Sequence, residues 1–293
     1  MSWLRAVLGL VIMVPTTAAC GGDGPADGRP MVVVSTTVLG DLVAQVAGDA
    51  AQVKVLMPPG VDPHEYAASA SDAARLGDAA LVVINGLGLE SGLADALGTL
   101  PEGVPVLEVG PAVTPLTYPS GVPDPHVWFD PTRMAVAAGL IGDAIAAVAP
   151  DSAEEIGAAA DALRSSLLSL DAELVAILSA VPAERRLLVA NHDFLRYFAN
   201  RYGFDVIGSV IPGGSTTEQP GAGVIAALAD TITERGVGAV FAEATEPTLL
   251  ADALASEAGG IPVVVLLSDA LVAGGSYAEL LRTDAALIAE ALR

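Results

Sequence analysis

Residues 153–179 read AEEIGAAADALRSSLLSLDAELVAILS, with no proline and a single glycine. Leu163, Leu167, Leu170, Leu174 and Leu178 recur at spacings of three and four, which lays one apolar stripe along a helix. At 1.5 Å per residue such a helix is about 40 Å long. Pro150-Asp151-Ser152 breaks the chain ahead of it, and Ser152 with Glu155 predicts a capping box at its start. This exceeds the usual length of a globular helix and suits a stiff connector between two lobes.

On both sides of this stretch, short β-branched runs alternate with Ala- and Leu-rich helical segments. Before it, strands are expected at 31–35, 53–57, 80–84 and 104–107, and helices at 39–47, 69–76 and 132–148. After it, strands are expected at 187–190, 205–211, 239–242 and 263–267, with helices at 193–201, 223–234, 247–257 and 277–292. Alternation of this kind predicts an α/β fold built on parallel sheets. The expected architecture is two lobes, each a parallel sheet flanked by helices, joined by one long rigid helix. The boundaries are an N-terminal lobe at 31–149, a connecting helix at 150–181 and a C-terminal lobe at 182–293.

The chain opens MSWLRAVLGLVIMVPTTAAC, with one basic side chain, a short apolar run and then small residues. This is the layout of a signal peptide over residues 1–19, and its apolar run is too short to span a membrane. Cys20, the only cysteine, falls where the leader is cut. Thr17-Ala18-Ala19-Cys20 resembles the bacterial lipoprotein box, which implies lipidation of Cys20. Residues 20–30, rich in Gly and Pro, then read as a lipidated tether. No later segment has the continuous apolarity of a membrane helix. Export to the outer face of the bacterial cytoplasmic membrane is the expected location.

Composition narrows the function. A net charge of −22 disfavours nucleic acid, which demands clustered Lys and Arg. Hydrophobic content of 53% argues against disorder. One cysteine excludes a disulfide framework and any multi-cysteine metal site. Gly86-Leu87-Gly88 lacks the third glycine of a dinucleotide loop, and Gly213-Gly214-Ser215-Thr216 lacks the lysine of a phosphate loop. Arg185-Arg186 reads as a solvated junction, and Trp128 as a core anchor.

Only three histidines exist, His64, His126 and His192, and each follows a strand or its trailing loop. In open α/β sheets such loops line the ligand crevice. The tripeptide Asp-Pro-His occurs twice, at 62–64 and 124–126, and His192 precedes Asp193. An acid within two residues of each histidine suits the ring-orienting partner of a metal-bound imidazole. Three converging neutral imidazoles suit Zn²⁺. A fourth ligand should be an oxygen, and Glu243 and Asp269 are the candidates at strand ends of the second lobe.

These residues carry a family resemblance. PPGVDPHEY around His64, DPHVWFDP around His126 and NHDFLRYFANRYGF around His192 are its core. Ser35-Thr36, the FAE run ending at Glu243, and Leu267-Ser268-Asp269-Ala270-Leu271 followed by Tyr277 complete it. The chain resembles the substrate-binding lipoproteins of bacterial zinc/manganese ABC importers, the metal-binding cluster A-I proteins. The resemblance implies a metal site in the interlobe cleft, with His64 and His126 from the first lobe and His192 and Asp269 from the second. Glu243 becomes a neighbouring carboxylate and not a first-choice ligand. It also implies permease and ATPase partners, a monomer, and capture and delivery of a metal in place of catalysis.

Two departures refine this. The interval 114–124 holds no His-rich scavenging loop. Histidine at 192, where manganese-leaning members often carry Glu, gives a nitrogen-rich set that favours Zn²⁺, with Mn²⁺ retained. Neutral imidazoles are required, so affinity is expected to fall below about pH 6.5. The rivals are a secreted zinc hydrolase, with Glu65 or Glu243 as base, and a surface adhesin with a structural metal in cell adhesion. The hydrolase reading lacks an HExxH motif, and a fourth protein ligand would close the position that catalysis needs.

Overall fold

A computed structural model describes residues 28–213, 216 and 221–293. The leader, Cys20 and most of the tether lie outside the described residues.

The first half runs β1 (Met31–Val34), α1 (Thr37–Ala47), β2 (Gln52–Val55), α2 (Ala70–Gly77), β3 (Leu81–Ile84), α3 (Ala94–Gly98), β4 (Val106–Glu108), α4 (Val109–Ala112) and α5 (Pro131–Val148). The long helix is α6 (Ala153–Leu178). The second half runs β5 (Leu187–His192), α7 (Arg196–Tyr202), β6 (Asp205–Ile211), α8 (Ala222–Arg235), β7 (Val240–Glu243), α9 (Leu249–Glu257), β8 (Val263–Leu266) and α10 (Tyr277–Ala291). The first sheet has the order β2-β1-β3-β4 and the second β6-β5-β7-β8, with every pair parallel. The two sheets thus repeat one topology. The inner strand β1, MVVV, is buried at all its positions, as a parallel strand covered on both faces should be.

Helix α6 is the spine. Its stripe of Ile156, Leu163, Leu167, Leu170, Leu174 and Leu178 is buried, and it packs on α1 and α5 of the first half and on α10 of the second. Helix α5 is apolar and long enough to cross a membrane by composition, yet its Met134, Ala137, Ala138, Ile141 and Ile145 are core residues. It approaches α6 closely: a Cβ on Gly142 would lie 2.7 Å from that of Ala160. Toward its C-terminal end, α6 is pinned to α7 by Asp171, which accepts hydrogen bonds from the Arg201 guanidinium and, at 3.2 Å, from the Tyr202 hydroxyl.

Three local expectations change. Ser152 makes no side-chain cap; Pro150–Ser152 is a 3-10 turn that winds directly into α6, so the capping box does not form. Helix α7 starts at Arg196, because Asp193 and Phe194 fold back into a turn with Phe194 N–H on the His192 carbonyl. Arg186 is not a solvated junction residue. Its guanidinium donates to the carbonyls of Leu178, Val181 and Tyr202 and stacks 5.3 Å over Phe204, closing the end of α6 onto the second lobe. Arg185 beside it is exposed.

Candidate metal centre

Parallel sheets leave a crevice beyond their strand carboxyl ends where neighbouring connections diverge. In the second sheet that point lies between β5 and β7, and these strands end on His192 and Glu243. Asp269 follows β8, His64 lies in the loop after β2, and His126 precedes the short turn Val127–Phe129 that leads into α5. The fold thereby brings all three histidines to one buried point from three different segments.

The Nε2 atom of His126 lies 3.3 Å from His64 Nε2 and 3.1 Å from His192 Nε2. Zn–N bonds of about 2.0–2.1 Å set the edge of a tetrahedron at about 3.3–3.4 Å, so this spacing suits one ion. Proton accounting leads to the same place. His126 Nδ1 sits 2.8 Å from Asp124 Oδ1, and His192 Nδ1 sits on Glu243 Oε2. Each carboxylate therefore takes the ring's N–H, which leaves both Nε2 atoms with bare lone pairs facing each other. Two lone pairs at that distance repel unless a cation lies between them. His126 and His192 are fully buried, and His64 nearly so.

Asp269 is buried, and neither of its oxygens has a hydrogen-bond partner among the described residues. It lies with the His64 imidazole and the Asp62 carboxylate, the ligand atoms of the three within 4.8 Å of one another. A buried carboxylate without a partner is costly, and a divalent ion is the partner its chemistry asks for.

The acids next to the histidines act differently from the expectation that each would orient its neighbour's ring. Asp124 does so for His126. Asp62 instead accepts the His64 backbone N–H at 2.8 Å, as Asp124 also does for His126 at 3.0 Å. Each Asp-Pro-His tripeptide is thus one Asx turn. Asp193 turns away to pair with Arg196 at 2.7 Å, and the ring of His192 is held by Glu243. Glu65 is exposed. Asp62 belongs to the site without being among the ligand candidates of the sequence. Its signal was the repeated tripeptide, which marks it as the counterpart of Asp124.

Behind His126 stands a second layer. The Tyr118 hydroxyl donates to Asp124 Oδ1 at 3.0 Å and lies 3.1 Å from the Asp193 carbonyl. Tyr197, on α7, donates to the Asp124 carbonyl at 2.7 Å. Trp128 is a buried anchor edge-on to His126 at 5.3 Å, and its indole N–H donates across the cleft to the Ser268 carbonyl at 3.1 Å.

Burial sets the charge states. It lowers the His64 imidazole to about 3, helped by the neighbouring His126 and His192. Burial likewise lowers His126, reinforced by His192, and lowers His192 against the opposing pull of Asp269. The carboxyls move the other way. Burial pushes Glu243 up to about 8 and Asp124 up to about 7. Asp269 is raised well above its usual range by burial and then by the charge of Glu243. Burial thus disfavours charge on the imidazoles and on the carboxyls alike, and a bound cation would offset the cost of the ionised carboxylates.

The chain is similar to known proteins along most of its length. The chain is 35% identical to the zinc-binding protein TroA of Treponema pallidum, over 92% of this chain and 90% of that one. It is 30% identical to the manganese-binding lipoprotein MntA of Halalkalibacterium halodurans, over 92% and 91%. The solved structure of periplasmic zinc-binding protein TroA from Treponema pallidum superposes with a TM-score of 0.85 at 31% identity, covering 90% of this chain and 99% of that one. The family model described as zinc-uptake complex component A, periplasmic, matches residues 32–291, and the chain belongs to that family, ZnuA.

Proposed function

We propose that this protein captures one Zn²⁺ outside the cytoplasm and delivers it to an ABC-type importer. His64 and His126 from the first lobe (31–149) and His192 and Asp269 from the second (182–293) hold the ion, with the connecting helix (150–181) limiting lobe movement. Glu243 orients His192 and is not itself a ligand. The observation that carries this reading is the convergence of three Nε2 atoms whose protons have been drawn to the far side of two of the rings. Three nitrogens and one carboxylate favour zinc over manganese, and the relatives' names span both metals. Mn²⁺ remains the second cargo to test.

The ion is cargo, so the protein is a carrier and not an enzyme: four protein ligands leave no open position for a reacting water. A signal peptide (1–19), a lipid on Cys20 and the tether to residue 30 hold a monomer on the outer face of the cytoplasmic membrane, beside its permease and ATPase. A strain lacking the protein accumulates less zinc in chelator-limited medium, and the intact chain restores accumulation. His192→Ala does not restore it. Normal zinc accumulation in the deletion strain would overturn the delivery role.

A further inference from the structure

We propose that Asp284, on the C-terminal helix α10, is a positioning residue that holds the Leu267-Ser268-Asp269 turn so that Asp269 points at the metal. The inference rests on the reading of Asp269 as a ligand and concerns what aims it.

Neither carboxylate oxygen of Asp269 meets a donor among the described residues, and its side-chain neighbour Glu243 is another carboxyl. The conformation of Asp269 must come from the turn that carries it. That turn is strained: Ser268 has φ +43°, a left-handed backbone that a residue with a side chain adopts at a cost. Such a conformation persists only where neighbours hold it from more than one side.

Two holds are present, from opposite directions. On one side the Leu267 N–H donates to Asp284 Oδ1 at 2.8 Å. On the other the Trp128 indole N–H donates to the Ser268 carbonyl at 3.1 Å. The two holds close into a ring, because Tyr277, the first residue of the helix that carries Asp284, donates its hydroxyl to the Trp128 carbonyl at 2.5 Å. The Tyr277 N–H in turn donates to Asp41 of α1 at 2.9 Å, so the helix is seated on the first lobe.

Packing does not account for an acid at this position. Asp284 is fully buried, makes no ion pair among the described residues, and its Oδ2 has no hydrogen-bond partner there. A buried carboxyl with so few partners is expensive unless its acceptor is needed where it stands. Here the acceptor meets a backbone N–H two residues before the ligand.

The test titrates the metal-stripped chain with Zn²⁺ against a chromophoric chelator, for Asp284→Asn, Asp284→Ala and Asp284→Ala combined with Ser268→Gly. Asparagine keeps an acceptor oxygen and keeps affinity close to that of the unaltered chain. Alanine lowers affinity by about 10–100-fold, the usual effect of removing a group that orients a ligand. Glycine at 268 adopts the left-handed turn without strain and recovers part of that loss. Trp128 is the only tryptophan beyond the leader, so its emission reports whether the indole still meets the Ser268 carbonyl. Emission shifts in the alanine variant and not in the asparagine one, a signature that general destabilisation without movement of the turn does not produce. Unchanged affinity and emission in Asp284→Ala would overturn the proposal, as would an equal loss in Asp284→Asn. If the alanine variant does not fold, Asp284→Ser, whose hydroxyl stops short of Leu267, is read by the same outcomes. Asp269→Ala separates the two claims. If it loses affinity while Asp284→Ala does not, only the positioning role falls; if it binds normally, the ligand assignment falls and the positioning role with it.

Discussion

The tripeptide Asp-Pro-His is written twice in this chain, and the two copies build the same turn with different freedom. At 124–126 the aspartate grips both the backbone N–H and the ring of its histidine, and two tyrosines stand behind it. At 62–64 the aspartate grips only the backbone N–H. Its other oxygen accepts from the Thr216 hydroxyl at 2.8 Å, across the cleft in the second lobe. No carboxylate orients the His64 ring among the described residues. One local motif therefore yields a fixed imidazole ring and an adjustable one, and the difference lies in what the rest of the fold adds. His126 lies between the other two rings, and the turn of His64 is tied to the opposite lobe.

The largest expected effect breaks the fixed side. His126→Ala abolishes saturable Zn²⁺ binding at micromolar concentrations, measured by equilibrium dialysis. It removes the nitrogen that meets both other rings and strands the Asp124 carboxylate in the interior. His64→Ala retains weak binding. Equal loss in the two variants would erase the distinction between fixed and adjustable ligands.

Next comes the hand-hold itself. Asp124→Ala lowers zinc affinity by about 10–100-fold, because the ring of His126 loses the partner that sets its tautomer. Asp62→Ala disturbs the ring of His64 less and costs less affinity. Chelator-competition titration of both variants ranks them, and the reverse order would contradict the asymmetry.

A third effect concerns protons. The imidazoles are held below their usual value of about 6.5, so they stay neutral in the folded chain at neutral pH. The carboxyls at the site are raised instead, Asp269 by burial and the charge of Glu243. A proton on a raised carboxyl competes with the metal, so affinity rises with pH until that carboxyl is ionised and falls as pH drops. The expected loss as pH falls through neutrality therefore belongs to carboxylates and not to histidines. Calorimetry in buffers of different ionisation enthalpy should show net proton release on zinc binding at neutral pH, reduced in Asp269→Asn. Absence of proton release would contradict this.

The smallest effect sharpens the adjustable side. Thr216→Val removes one hydrogen bond between the lobes, worth about 0.5–1.5 kcal/mol, and so changes affinity by about tenfold at most. Stopped-flow chelation should show faster zinc loss from this variant, and an unchanged rate would show that the Thr216 bond to Asp62 does not help hold His64.

Legibility in the sequence followed the range of the interactions. The spine helix and the parallel alternation were readable because periodicity and strand composition are local. The convergence of the three histidines was readable because they sit in strand-end loops and short motifs, while the choice of Asp269 over Glu243 came only from the family resemblance. What holds the histidines was less so. His192 takes its ring partner from Glu243 on another strand, while the adjacent Asp193 serves Arg196. Asp62 reaches Thr216 in the other lobe, and Arg186 looked solvated until Phe204 and three carbonyls closed around it. Each depends on which strands lie side by side, and spacing along the chain does not encode that. Ser152 shows the converse: a capping signature that a preceding proline turn made redundant.

The central claim is that one ion joins both lobes through nitrogens with no protons between them. Titration calorimetry of the metal-stripped chain with Zn²⁺, paired with the His126→Ala and His192→Ala variants, tests it most directly. The account predicts close to one zinc per chain and no comparable binding when either lobe's buried histidine is removed. Absence of saturable binding, or binding that survives both substitutions, would contradict it.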